Sequence, residues 1–303
     1  MSNKIAIIIP YFGKFPEWIS IFVEGCRRNS FIDFIIFSDD VLDYQTSNII
    51  FHKTTFEDYC KRIGNELNIE FAPKSAYKLC GVRPFYGYIH RKELETYDFW
   101  GFCDLDLVFG DLSKIFSTNN LLSYDIISTD WDRISGPLCI FRNNRKYREL
   151  AFNIKGWEQM LSSEKIIPLD EKYLSDIVAI ELKALRGLDS RILRPLLPLK
   201  MVHAIDKAIS MPVHFYLKKK GLLFTHLNCS PEIGVSNMRF VYDNHIIKDR
   251  TSGKELPYLH FLFFKKNMYR EKYLWKDYAT INTDKLDFSK PVYIDEKGIY
   301  NKP

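Results

Sequence analysis

Along the first half of the chain, runs of apolar residues alternate with segments in which apolar positions recur at helical spacing. "KIAIIIP" is a continuous β-branched run stopped by Pro10, the pattern of a strand buried on both faces. "FPEWISIFVEGCRRNS" then sets Trp18, Ile21, Phe22 and Cys26 on one helical face. "IDFIIFSDD" reads as a second buried strand whose acidic end opens into a loop, and "NIIFHK" as a third. In "TTFEDYCKRIGNEL", Thr55 followed by Asp58 is an acidic form of a helix-start signature. "KSAYKLCGVRPFYGYIHRKEL" is expected to be helical apart from a break near Gly81 to Pro84. "DFWGFCDLDLVFG" supplies a fourth strand, "DLSKIF" a short helix and "YDIIST" a fifth strand. "GPLCIFRNN" adds a strand that leads into the helical stretch "RKYRELAFNIKGWEQML".

This alternation predicts an α/β protein built on an open sheet, with right-handed crossovers. Beyond residue 165 the pattern loosens. Residues 195–221 are Pro-punctuated, apolar and basic, and "LPYLHFLFFKK" is a late strand. No repeat or low-complexity tract interrupts the chain, so one domain over 1–303 with a C-terminal elaboration is the simplest organisation.

Composition narrows the function classes. At 303 residues, 46% hydrophobic and 27% charged, the chain has the balance of a soluble globular protein. Its 23 Phe, 18 Tyr and 5 Trp suit a surface for rings or sugars as well as a large core. A net charge of +5 accommodates an anionic substrate or membrane surface without demanding either. The basic residues are dispersed and no recognised module is present, which argues against nucleic acid as a partner. Six cysteines without CxxC or zinc-type spacing read as reduced thiols of a cytoplasmic protein. The N-terminus has no signal-peptide core, and no segment approaches the ~20 apolar residues of a membrane span.

The chemistry concentrates in "YDFWGFCDLDLVFGDL". In an extended strand, Asp104 and Asp106 project to one face with Cα atoms about 6.5–7 Å apart, while Leu105 and Leu107 face the core. Gly110 marks the turn that follows, so both carboxylates fall near the C-terminal end of the strand, where open α/β sheets bind ligands. Ionised carboxylates in apolar surroundings need a compensating charge, and two hard oxygen donors suit Mg²⁺ or Mn²⁺. The alternative is a pair of strand-end aspartates that cap the next turn and face water. An EF-hand is excluded, because Val108 and Phe109 stand where an oxygen ligand and a glycine are required.

Four segments in order, "IAIIIPYFGKFPEW", "FIIFSDD", "SAYKLCGVRPFYGYI" and "YDFWGFCDLDLVFGDL", resemble a bacterial glycosyltransferase family with the GT-A fold, met in surface-polysaccharide gene clusters. The resemblance is strong over residues 4–145 and patchy beyond. It implies a Rossmann-like open sheet with helices on both faces. Residues 1–145 would be a nucleotide-sugar-binding half, and 146–303 an acceptor-side half. It further implies a UDP-sugar donor (a galactose-type sugar being the family-level expectation), Mn²⁺ or Mg²⁺, and a growing polysaccharide of O-antigen or capsule type, or a lipid-linked glycan, as acceptor. On this resemblance Asp104 and Asp106 match the DxD motif, with Asp106 on the metal and Asp104 reaching the metal or the donor ribose. Pro10, Tyr11 and Phe12 match the loop that packs on the nucleotide, and Asp39 the position that holds base or ribose. Lys78 and Arg83 match basic contacts to the diphosphate or nucleotide; Tyr77 and Tyr86 either stack or pack. His260 is the expected third metal ligand, with a hydrogen-bonded core histidine as its alternative.

Transfer to a hydroxyl with inversion needs a general base. Asp170 and Glu171 stand where inverting relatives carry one, and equally suit the first turn of a helix; Asp130 and Asp132 are next in line. A haloacid-dehalogenase-type phosphatase and a non-catalytic carbohydrate-binding relative are the competing classes. The first lacks its downstream acidic pair, since Asp39 and Asp40 lie upstream. Lys200, Lys207 and Lys218 to Lys220, set among apolar residues, predict peripheral contact with the inner face of the cytoplasmic membrane, against a solvated lid.

Overall fold

The structure, a computed structural model, describes residues 3–42, 46–179, 217–225, 239–260, 285–295 and 298–302. Residues 195–216 of the predicted interfacial segment lie outside them, with Lys200 and Lys207. So do His203, His214, His226 and the late strand beyond His260. Among the described residues no helix is long and apolar enough to cross a membrane.

Fourteen strands are described: β1 (Ile5–Pro10), β2 (Ile32–Ser38), β3 (Ile49–Lys53), β4 (Phe99–Cys103), β5 (Leu107–Phe109), β6 (Ile126–Ser128), β7 (Leu138–Arg142), β8 (Leu222–Phe224), β9 (Phe240–Asp243), β10 (Ile246–Asp249), β11 (Glu255–Leu256), β12 (Tyr258–His260), β13 (Val292–Asp295) and β14 (Gly298–Asn301). The main sheet is ordered β3-β2-β1-β4-β7-β6-β8. All its strands share one direction except β7, which pairs antiparallel with both β4 and β6.

Period-two alternation sends Ile5, Ile7 and Ile9 of β1 into one core and Ala6 and Ile8 into the other, so both faces of the strand are covered. Helix α1 (Ile19–Arg28) seals the first face with Ile19, Phe22, Val23 and Cys26. Helix α2 (Phe56–Leu67) seals the second with Tyr59, Cys60, Ile63 and Leu67. Its predicted start holds: the Thr55 hydroxyl accepts from the Asp58 N–H at 3.1 Å and donates to the Asp58 carboxylate at 2.7 Å.

The C-terminal elaboration is a second, antiparallel sheet, β11-β10-β9-β13-β14. Its Phe240, Tyr242 and Ile294 pack on Trp18 and Ile21, so α1 is buried between two sheets. The one acidic residue caught in that helix, Glu24, is neutralised by Arg27 and Arg28. Gly25 is required here, because a Cβ would stand 2.9 Å from Cβ of Phe109.

Two expectations are corrected. The predicted fourth strand is two strands: β4 ends in the main sheet, the chain bends through Asp104–Asp106, and β5 leaves to pair with β12. The bend is held by Trp18 Nε1, which donates to the Leu105 carbonyl at 3.0 Å, and by the Asp104 N–H on the Pro137 carbonyl. The break expected near Gly81 to Pro84 is absent, because Ala76–Phe85 winds as a 3-10 helix and runs into one α-turn, Tyr86–Ile89. Bonds from Lys78 and Arg83 to distant carbonyls, and from the Tyr86 hydroxyl back to the Leu79 carbonyl, hold this segment where local propensity does not.

Candidate active site

A cleft of about 700 Å³ opens at the C-terminal ends of β1 and β4, where the strand order of the main sheet reverses. It is lined by Pro10, Tyr11, Phe12, Arg83, Asp104, Asp106, Asp170, Glu171 and His260 among others. Eleven of the candidate site residues named from the sequence, Tyr77 and Tyr86 included, therefore share one cavity although they come from five stretches of the chain.

Sheet pairing explains how residue 260 reaches residue 104. The β5/β12 ladder sets His260 opposite Leu107, next to the bend that carries both aspartates. His260 Nε2 lies 3.4 Å from Asp106 Oδ1 and 4.0 Å from Asp104 Oδ2. One ligand atom from each residue falls within 4.8 Å of the others. Adjacent ligands of an octahedral ion with bonds of about 2.1 Å are about 3 Å apart, so small side-chain rotations would close this set around a divalent cation. Two carboxylate oxygens and an imidazole nitrogen are donors that Mn²⁺ accepts. The residues fit such an ion.

Asp104 and Asp170 are bridged by Arg83. Its Nη2 meets Asp104 Oδ1; its Nη1 donates to the Gly136 carbonyl at 3.1 Å and lies 3.5 Å from Asp170 Oδ2. The 3-10 winding makes this possible, since a period of three residues puts Tyr77, Cys80, Arg83 and Tyr86 on the face that lines the cleft. Asp170 and Glu171 open a π-helical segment, Leu169–Leu174, as the first-turn alternative expected, and both also line the cleft. Burial raises the pKa of Asp170 against the pull of Arg83. Burial, reinforced by the charges of Asp170 and Asp130, pushes the Glu171 carboxyl up to about 7. Asp132 is committed to a two-pronged pair with Arg133.

Two predicted donor contacts lie elsewhere. Lys78 is buried and points away from the cleft, donating to the carbonyls of Met160 and Lys165 at 2.9 and 2.5 Å; its burial lowers its pKa. Asp39 accepts from the Gly13 N–H at 2.8 Å and so shapes the loop after β1. Tyr86 packs, its hydroxyl bonded to the Leu79 carbonyl, whereas Tyr77 is 43% exposed at the rim of the cleft together with Ile166, 42% exposed. The sequence reading missed Gly136. A Cβ there would stand 2.5 Å from Glu171 Oε1, so the bare backbone makes room for that carboxylate. Its only local signal is a Gly-Pro step before β7.

A model of the family of unknown function DUF6625 matches residues 7–289. A search of curated proteins returns no match. Among solved structures, the chain is similar to the apo form of the glycosyltransferase GlyE of Streptococcus pneumoniae TIGR4, at 13% identity and a TM-score of 0.34, over 59% of this chain and 44% of that one. It is similar also to mouse xyloside xylosyltransferase 1, apo form, at 12% identity and a TM-score of 0.32, over 59% of this chain and 82% of that one. The chain thus spans less than half the length of the pneumococcal protein.

Proposed function

The chain belongs to the DUF6625 family, and we propose that it is a divalent-metal-dependent glycosyltransferase of GT-A type, moving a sugar from a UDP-sugar to a bacterial surface glycan or its lipid-linked precursor. The observation that carries this reading is the convergence of Asp104, Asp106 and His260 in a cleft that also presents Asp170 and Glu171. A Mn²⁺ or Mg²⁺ ion held by the first three would supply positive charge against the leaving diphosphate.

The protein's own groups do the rest. Pro10, Tyr11 and Phe12 pack against the nucleoside; the loop they form is held by Asp39 and by Asp40, which accepts from the Phe15 N–H. Residues 1–145 form the donor half and residues 146–303 the acceptor side, with His260 crossing between them. Glu171 accepts the proton of the acceptor hydroxyl, a task for which a carboxyl near 7 is better matched than an ordinary one. The acceptor enters past Tyr77 and Ile166. Such an enzyme would work in the cytoplasm, at the inner face of the membrane where lipid-linked acceptors are built.

Calorimetric titration of UDP into the protein with Mn²⁺, and again with EDTA, tests the reading. Binding that requires Mn²⁺ and is lost in Asp106→Asn is the expected result. Metal-independent binding, or full binding by Asp106→Asn at saturating Mn²⁺, would remove the metal assignment.

A further inference from the structure

Arg83 touches both carboxylate pairs of the cleft while presenting little of itself to solvent, its side chain being 14% exposed. One nitrogen meets Asp104 Oδ1 and lies 3.7 Å from Cys80 Sγ; the other is fixed by the Gly136 carbonyl and Asp170. The guanidinium also lies over the Phe102 ring, 5.7 Å from its centre. A planar fork held at these points has little freedom to rotate. Since it engages Oδ1 of Asp104, Oδ2 is the oxygen that faces His260, at 4.0 Å.

We propose that Arg83 is a positioning residue: it fixes the rotation of Asp104 so that Oδ2 is offered to the cation beside Asp106 and His260, and it takes its own placement from Gly136 and Asp170. The inference rests on the metal reading above and adds a strut that ties the metal end of the cleft to the end that carries the candidate base. Partners of this kind, one bond removed from the ion, orient ligands and tune affinity.

Geometry and charge make opposite predictions, which keeps the inference open to test. As a mere positive charge, Arg83 would repel a cation, and removing it would tighten metal binding. As a strut, it cannot be replaced by lysine, which keeps the charge and loses the fork. The experiment titrates Mn²⁺ into wild type, Asp106→Asn, Arg83→Lys, Asp170→Asn and Glu171→Gln, following free Mn²⁺ by its electron paramagnetic resonance signal. Arg83→Lys is expected to bind Mn²⁺ about tenfold more weakly than wild type. Asp170→Asn, isosteric but with the far anchor of the fork weakened, is expected to lose more affinity than Glu171→Gln. That variant also removes a carboxylate charge and leaves the Arg83 bonds in place.

Wild-type affinity in Arg83→Lys, or equal losses in Asp170→Asn and Glu171→Gln, would overturn the strut while leaving the metal site standing. Absence of Mn²⁺ binding in wild type would remove the metal reading and the strut with it. Should Arg83→Lys fail to fold, the comparison of Asp170→Asn with Glu171→Gln decides.

Discussion

Tyr88-Ile89-His90 and Tyr258-Leu259-His260 are nearly the same tripeptide, and both histidines are buried, at 0% and 4% exposure. The first ring closes the α-turn that follows the 3-10 helix. Its Nε2 lies 2.8 Å from the Tyr59 hydroxyl, and its face packs on Phe37 with ring centres 4.6 Å apart. The nearest carboxylate, Glu93 at 3.9 Å, is already paired with Arg62. Burial accordingly pulls the pKa of His90 down to about 3, so it serves the core as a neutral ring. The second ring ends a two-stranded ladder that aims it at Asp106 and Asp104. Spacing and burial are shared; what separates a core histidine from a candidate ligand is what its ring nitrogen meets, a tyrosine hydroxyl within the core or two carboxylates that line a cleft.

The sharpest way to break this contrast is to exchange the two losses. His260→Ala should weaken Mn²⁺ binding by about 100-fold, at or beyond the upper end of what outer-sphere changes do, with little change in urea unfolding. His90→Ala should cost about 2–4 kcal/mol of stability in the same unfolding experiment and leave Mn²⁺ affinity as it was. Equal effects of both on metal affinity would erase the distinction.

Acid stability separates them further. Folded His90 refuses a proton that the unfolded chain takes up at its ordinary value of 6.5, so its contribution is full above that pH and is lost as pH falls toward 3. The slope should be about 1.4 kcal/mol per pH unit, and His90→Ala should lack it. Glu171 has the opposite sign. Its folded pKa of about 7 lies above the ordinary 4.5, so it is without cost below the lower value and destabilises the fold fully above the higher one. Glu171→Gln should therefore raise the melting temperature at pH 8 and leave it unchanged at pH 4. Its turnover should lose the acid limb near pH 7.

The smallest effect belongs to the anchor of the ladder. The buried Tyr258 hydroxyl donates to Thr129 Oγ1 at 2.8 Å and fixes the register that delivers His260. Tyr258→Phe should cost about 1 kcal/mol of stability and a few-fold of Mn²⁺ affinity. A change in stability without any change in affinity would show that the register does not depend on this bond.

Elements governed by local rules were legible in the sequence. The β-branched runs of β1 and β2, the helical face of α1 and the Thr55 start of α2 are specified within their own windows. The aspartate pair was legible too, although an extended strand was expected where a bend is found, because nothing local announces that β5 changes sheets to meet β12. The opposite wall was poorly legible. Gly81 and Pro84 break an α-helix but not a 3-10 helix held by distant partners. Lys78 and Arg83 look alike as lone basic residues. Only their partners 21 to 87 residues away turn one toward carbonyls outside the cleft and the other into its bridge.

The most direct test of the central claim is a crystal grown with Mn²⁺ and examined by anomalous diffraction near the manganese edge. The account predicts one strong peak within about 2.0–2.3 Å of Asp106, His260 and Asp104 Oδ2. A map without a peak among these three residues, or with manganese bound elsewhere in the cleft, would contradict it.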